Sequence, residues 1–238
     1  MPAPSRSTRA LVACATVGAL LASAGCQTLT EAGQVIGRSD LVNDLAARLD
    51  RSAELTYSID YRLPESRSAT IAQTPSPPRS AYLYPGGRLI ITEEAITECR
   101  TRGGRETCTI NPPPSPGAAP SSRYFTAPTE HGLVTPTLVI SLLTAAALDA
   151  EAIIEQHDTT IAGRHATCVK VRQVEKAPAS NFDACITTEG VLGSFSGVVH
   201  GTMIDIAMSH YRDTVDPEIF EVPKNAEIVD RRSSAREQ

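Results

Sequence analysis

The chain has no tryptophan and only ten phenylalanine and tyrosine residues among its 238. An extended Trp-rich platform for stacking sugars or bases is not expected. Cations are not in excess either, since 22 Lys and Arg stand against 27 Asp and Glu. Nucleic-acid binding needs a basic footprint, and a polybasic membrane surface needs the same, so neither is expected. No apolar run reaches the roughly 20 residues that a helix needs to cross a bilayer. Five histidines occur, His131, His157, His165, His200 and His210, but none sits in H-E-x-x-H, and G-x-S-x-G is missing. His165 and His210 fall in strand patterns and read as structural. The carboxylate pair Glu93-Glu94 reads as a solvated turn. No catalytic residue is assigned, and the chain is not expected to be an enzyme.

What is present starts with Ala10 to Cys26, ALVACATVGALLASAGC. It follows Arg6 and Arg9, is apolar for roughly 15 residues, and ends in small residues, the pattern of a secretory signal. The cysteine after Ala24-Gly25 resembles a bacterial lipobox, although Ser23 stands where Leu is common. In that motif the signal is cut before the cysteine, whose thiol carries a diacylglyceryl group and whose new N-terminus is acylated. The expectation is a signal over 1–25, lipidation at Cys26, and a protein on the extracytoplasmic face of the cell membrane. No other cofactor is expected. Loss of Arg6 and Arg9 takes the formal charge from −5 to −7, so the lipid would do the anchoring.

Apart from Cys14 and Cys26, four cysteines remain: Cys99, Cys108, Cys168 and Cys185. An even number in an exported chain reads as two disulfides. No C-x2-C spacing and no Cys-His pair with finger spacing is present, so no metal ligand is assigned.

Residues 26–38 read as a polar to mixed tether, 39–230 as one domain and 231–238 as a frayed tail. A helix is expected from about Asp40 to Ala53, N-capped by Ser39, with Leu41, Leu45 and Leu49 on one stripe. From Leu55 the period becomes two, and Tyr57, Ile59, Tyr61 and Leu63 alternate with polar residues, as in a half-buried antiparallel strand. Strands follow at about 68–73, 79–84 and 88–92. Gly103-Gly104 suits a two-residue hairpin turn. Counting back from it sets Cys99 opposite Cys108 on a non-hydrogen-bonded pair, where Cα atoms approach to about 4.5 Å, within disulfide range. NPPPSPGAAPSS (111–122) is a Pro-rich exposed loop.

Thr135-Pro136 opens a helix, TLVISLLTAAAL, that is apolar nearly all round and therefore buried on most sides. Residues 150–160 fit helix or strand. Residues 164–174 and 182–187 are strands that bring Cys168 level with Cys185 if the turn centres near Lys176-Ala177. A hairpin at Glu189-Gly190 and a long strand over 201–211 follow, then a closing turn from Asp216-Pro217 to Pro223.

This order, with Thr188-Glu189-Gly190, Tyr211-Arg212-Asp213 and Phe220-x-x-Pro223, resembles the LolA-like half-barrel family, whose relatives include the LolA and LolB carriers and the LppX and LprG lipoproteins. The resemblance covers roughly Ser39 to Val229; the two disulfides and the Pro-rich loop depart from it. It implies an α+β fold, a curved antiparallel sheet wrapping one or more helices around an apolar hollow for acyl chains. The expected lining is Leu138, Val139, Leu142 and Leu143 on the apolar helix, with Tyr57, Ile59, Tyr61, Ile204 and Ile206 on the sheet. A monomer that binds or carries a lipid, glycolipid or other acylated ligand is expected. The alternative is an envelope sensor or assembly partner of the same fold, bound to another envelope protein, with the hollow filled by its own side chains.

Overall fold

The computed structural model describes residues 24–115 and 120–232, with residues 24–36 described by their backbone alone. Most of the proposed signal, the side chain of Cys26, the centre of the Pro-rich loop and the end of the tail lie outside the described residues.

Twelve strands form one large, curved, open sheet. The first six run outward as an antiparallel meander: β1 (Tyr57–Arg62), β2 (Ser68–Pro75), β3 (Pro78–Tyr84), β4 (Gly87–Ile91), β5 (Ile96–Arg102) and β6 (Arg105–Asn111). A second meander runs inward: β7 (Ile153–Ile161), β8 (Arg164–Arg172), β9 (Phe182–Thr187), β10 (Leu192–Val199) and β11 (Thr202–Arg212). β11 pairs with β1 and makes the central seam, with Ile59 opposite Tyr211. A short β12 (Glu227–Asp230) lies parallel to β6 and covers that edge. The expectation of an α+β fold built on a curved, mostly antiparallel sheet holds at this level.

The period of two explains which side is covered. Tyr57, Ile59 and Tyr61 on β1 and Ile204, Ile206 and Met208 on β11 point to one face and join the main core. On that face lie α1 (Ala24–Arg51) and α3 (Pro136–Leu148), packed against each other. α1 brings Val42, Leu45 and Leu49, all essentially inaccessible. The short α2 (Thr126–Glu130) precedes α3.

One expectation about α1 is corrected and one is refined. The segment 26–38 expected as a tether is helical, because the helix begins at Ala24. Polar composition reports exposure, not backbone conformation, and Glu31, Ala32 and Gln34 are good helix formers. Ser39 is accordingly no N-cap. It lies inside α1, and its hydroxyl donates to the carbonyl of Ala147 at 3.2 Å, satisfying one of the orphan carbonyls at the end of α3. The start of α3 is as expected: Thr135 accepts a hydrogen bond from the Leu138 amide, and Pro136 occupies the first turn.

After β11 the chain crosses the outer face of the sheet. Phe220, in a 3-10 turn over Pro217–Phe220, is buried with Ala72, Ala81 and Ile90. The guanidinium of Arg79 sits 4.7 Å from the centre of its ring. The expected closing turn is thus a small second core, and the chain beyond it ends in β12, a strand that the sequence pattern does not announce.

Candidate functional site: a cavity at the start of α3

The apolar character of α3 raises the question of what covers its second side. The structure answers with α1. Val139, Leu142 and Leu143 are fully buried between α1 and the sheet, and Tyr57, Ile59, Tyr61, Ile204 and Ile206 join them in the same core. Tyr61 is held there by a hydrogen bond from its hydroxyl to the Leu192 carbonyl, 2.8 Å long. Burial raises the Tyr61 and Tyr57 phenols well above their ordinary range, because a phenolate would be stranded in apolar surroundings. Eight of the nine expected lining residues are therefore brought together, as packed core.

Leu138 is the exception. One turn into α3 it borders a cavity of about 570 Å³. α2 and the 3-10 turn before it form the opposite wall, and the β10–β11 turn forms the floor. Phe125 and Leu138 supply the apolar surface. Phe125 is fixed edge-on against Tyr82 of β3, with ring centres 5.5 Å apart. Three of the lining hydroxyls are engaged with the backbone: Thr129 donates to the Phe125 carbonyl at 2.9 Å, Ser141 donates to the Leu138 carbonyl at 2.7 Å, and Thr135 accepts from the Leu138 amide. Glu130 and His200 are the ionisable side chains on the wall.

His200 reaches the cavity through a hairpin. His200-Gly201 is a two-residue turn between Val199 and Thr202, with φ of 48° and 82°. Both central residues of this turn type need positive φ, which suits Gly and is merely tolerated by His. A His-Gly pair between two strands is the available sequence signal. It escapes notice because the expected strand over 201–211 takes Gly201 as its first residue rather than as a turn residue.

The motifs that carry the family resemblance are accounted for by packing. Glu189 of the Thr188–Gly190 turn forms an ion pair with Arg164, whose guanidinium lies 4.0 Å from the centre of the Tyr211 ring. Arg212 donates to Asp60 across the central seam at 2.9 Å. Gly190, at φ 88°, would place a Cβ 2.8 Å from the Arg48 carbonyl of α1, so the turn is seated directly on the helix end.

The chain matches no protein-family model and no curated protein. Among solved structures it is similar to an uncharacterized conserved protein from Thermus thermophilus, at 12% identity and a TM-score of 0.46. That alignment covers 79% of this chain and 98% of the other. A likeness of that degree says nothing of function.

Both cysteine pairs are disulfides on adjacent strands. Cys99–Cys108 joins β5 to β6 in the register set by Gly103-Gly104, and Cys168–Cys185 joins β8 to β9. Among the described residues no helix is long and apolar enough to cross a membrane.

Proposed function

We propose that this chain is a non-enzymatic, LolA-like lipoprotein, anchored through lipid on Cys26 to the extracytoplasmic face of the cell membrane, that binds the acyl part of a lipid, glycolipid or other acylated ligand. The observation that supports it is the cavity of about 570 Å³ beside Leu138 and Phe125, within the roughly 300–1,000 Å³ usual for small-ligand sites. Each buried methylene is worth about 0.8 kcal/mol before ordering costs, so a short stretch of tail suffices for binding. Glu130 and His200 would meet its polar end. Cys26 is near the start of α1, and among the described side chains of that helix the first fully buried one is Val42. Roughly 24 Å of helix, at 1.5 Å per residue, separates the two.

A specific observation favours a second reading. The space expected to form the large hollow is filled by Val139, Leu142 and Leu143, as in a sensor or assembly partner that carries no exchangeable ligand.

One measurement tests the anchor and a second separates the two readings. Cys26→Ser should move the protein from the detergent phase to the aqueous phase; a wild type that already partitions as soluble removes the anchor. On the Cys26→Ser background, Leu138→Trp should abolish saturable binding of a fluorescent fatty-acyl probe while circular dichroism stays unchanged. A variant that binds as well as its parent rules out the cavity as the ligand site. A parent with no saturable binding leaves the partner-protein reading.

A further inference from the structure

The β7–β8–β9 register lines up three metal-binding side chains that lie far apart in sequence. His157 faces Cys168, and Cys168 faces Cys185. Asp183, two residues before Cys185, shares their face of the sheet. One donor atom from each of the four lies within 4.8 Å of all the others. His157 Nε2 is 3.8 Å from a carboxylate oxygen of Asp183, and Cys185 Sγ is 3.8 Å from the other. Zinc bonds of about 2.0–2.3 Å in a tetrahedron separate ligand atoms by roughly 3.3–3.8 Å, which these four side chains can reach by small rotations.

We propose that, once the Cys168–Cys185 disulfide is reduced, His157, Cys168, Asp183 and Cys185 form a binding site for zinc or a similar thiophilic divalent cation. With the disulfide intact the sulfurs are spent on each other and no metal is held. A dithiol reductant supplies two electrons and two protons: the S–S bond breaks, two thiols form, and the reductant leaves as its own disulfide. Metal binding then releases the two thiol protons. Two thiolates, one carboxylate and neutral imidazole around a divalent ion leave a charge of −1, which Lys170, opposite Asp183 on β8, is placed to offset.

The other disulfide provides an internal contrast. Cys99 and Cys108 have one further donor nearby, Glu106, and Arg88 already holds that carboxylate at 3.1 Å. Both disulfides join adjacent antiparallel strands, yet among the described residues only one carries a four-donor ligand set. A route in exists as well. His157, Asp183 and Cys185 line a cavity of about 680 Å³ on the outer face, where the end of β7 folds toward β10 and Ile161 reaches Gly193. Thiolate and imidazole ligands favour zinc over magnesium or calcium. Linear spacing does not speak against zinc here, because the ligands come from three strands rather than from one loop.

The test uses the full chain with Cys14, Cys26, Cys99 and Cys108 replaced by Ser, reduced with a dithiol and then freed of it under argon. Cobalt titration should saturate at one equivalent with a thiolate charge-transfer band, and zinc should displace it. The oxidised chain, and the reduced chain carrying Cys168→Ser and Cys185→Ser, should show no band. His157→Ala and Asp183→Asn should each weaken zinc by roughly tenfold or more in chelator competition. Reduced protein with no band overturns the site, as does binding unchanged by both substitutions. If reduction unfolds the chain, recovery of its circular dichroism by one equivalent of zinc supports the site, and failure to recover overturns it.

Discussion

At the scale of single residues, the informative contrast is between neighbours on α3. Leu142 has no solvent exposure, whereas Leu138 is only partly buried and faces the cavity. Truncating a fully packed leucine loses transfer energy and leaves a hole, about 2–5 kcal/mol. Truncating one that already borders a void loses much less. Leu142→Ala should therefore lower the urea midpoint far more than Leu138→Ala, and equal losses would mean that Leu138 is packed as tightly as its neighbour. Periodicity cannot make this distinction. It identifies α3 as apolar all round, but which positions meet α1 depends on the path of a helix far earlier in the chain.

At the scale of elements, legibility follows turn geometry. Gly103-Gly104 is a tight turn whose register propagates residue by residue, so Cys99–Cys108 can be derived from the amino-acid order alone. Cys168–Cys185 follows from a longer turn by the same reasoning. β12 is not legible: four exposed residues, paired parallel to a strand distant in sequence, leave no hydrophobic period. The two crosslinks also differ in what they should contribute. Their partners are 9 and 17 residues apart, and in the chain-entropy model that ratio favours the longer loop by about 0.6 kcal/mol. Replacing Cys168 and Cys185 with Ser should cost slightly more than replacing Cys99 and Cys108, as read by denaturant unfolding without added metal. The reverse order would show that contacts around the β5–β6 hairpin, not loop entropy, set the ranking.

At the scale of the whole molecule, the buried phenols define a pH limit. Tyr57, Tyr61 and Tyr82 are raised by burial, and Tyr84 is pushed up to about 12 by burial with the Glu98 carboxylate adding to it. A phenol whose folded pKa exceeds its unfolded value near 10 holds its proton more tightly in the native state. The stability this confers is intact below about pH 10 and is lost as pH rises through the folded values. Alkaline titration should show tyrosinate absorbance appearing together with loss of circular dichroism. Early ionisation of all six tyrosines in a still-folded protein would contradict the burial described above. The meander order, the apolar helix and the strand alternation are legible from sequence. The position of β11 beside β1, rather than beyond β10 at an edge, is not, since nothing local to either strand encodes their pairing.

That central seam has a kinetic consequence. Ser58 and Arg212 are 154 residues apart, and the middle of the sheet depends on their strands meeting. As the chain emerges from its N-terminal end, β1 to β6 can zip from local turns, but β1 keeps a bare edge until β11 arrives. Non-local pairing of this kind slows folding, and an unpaired strand edge is the hazard of such intermediates. The two halves of the sheet, each able to pair locally, become one only when β11 meets β1.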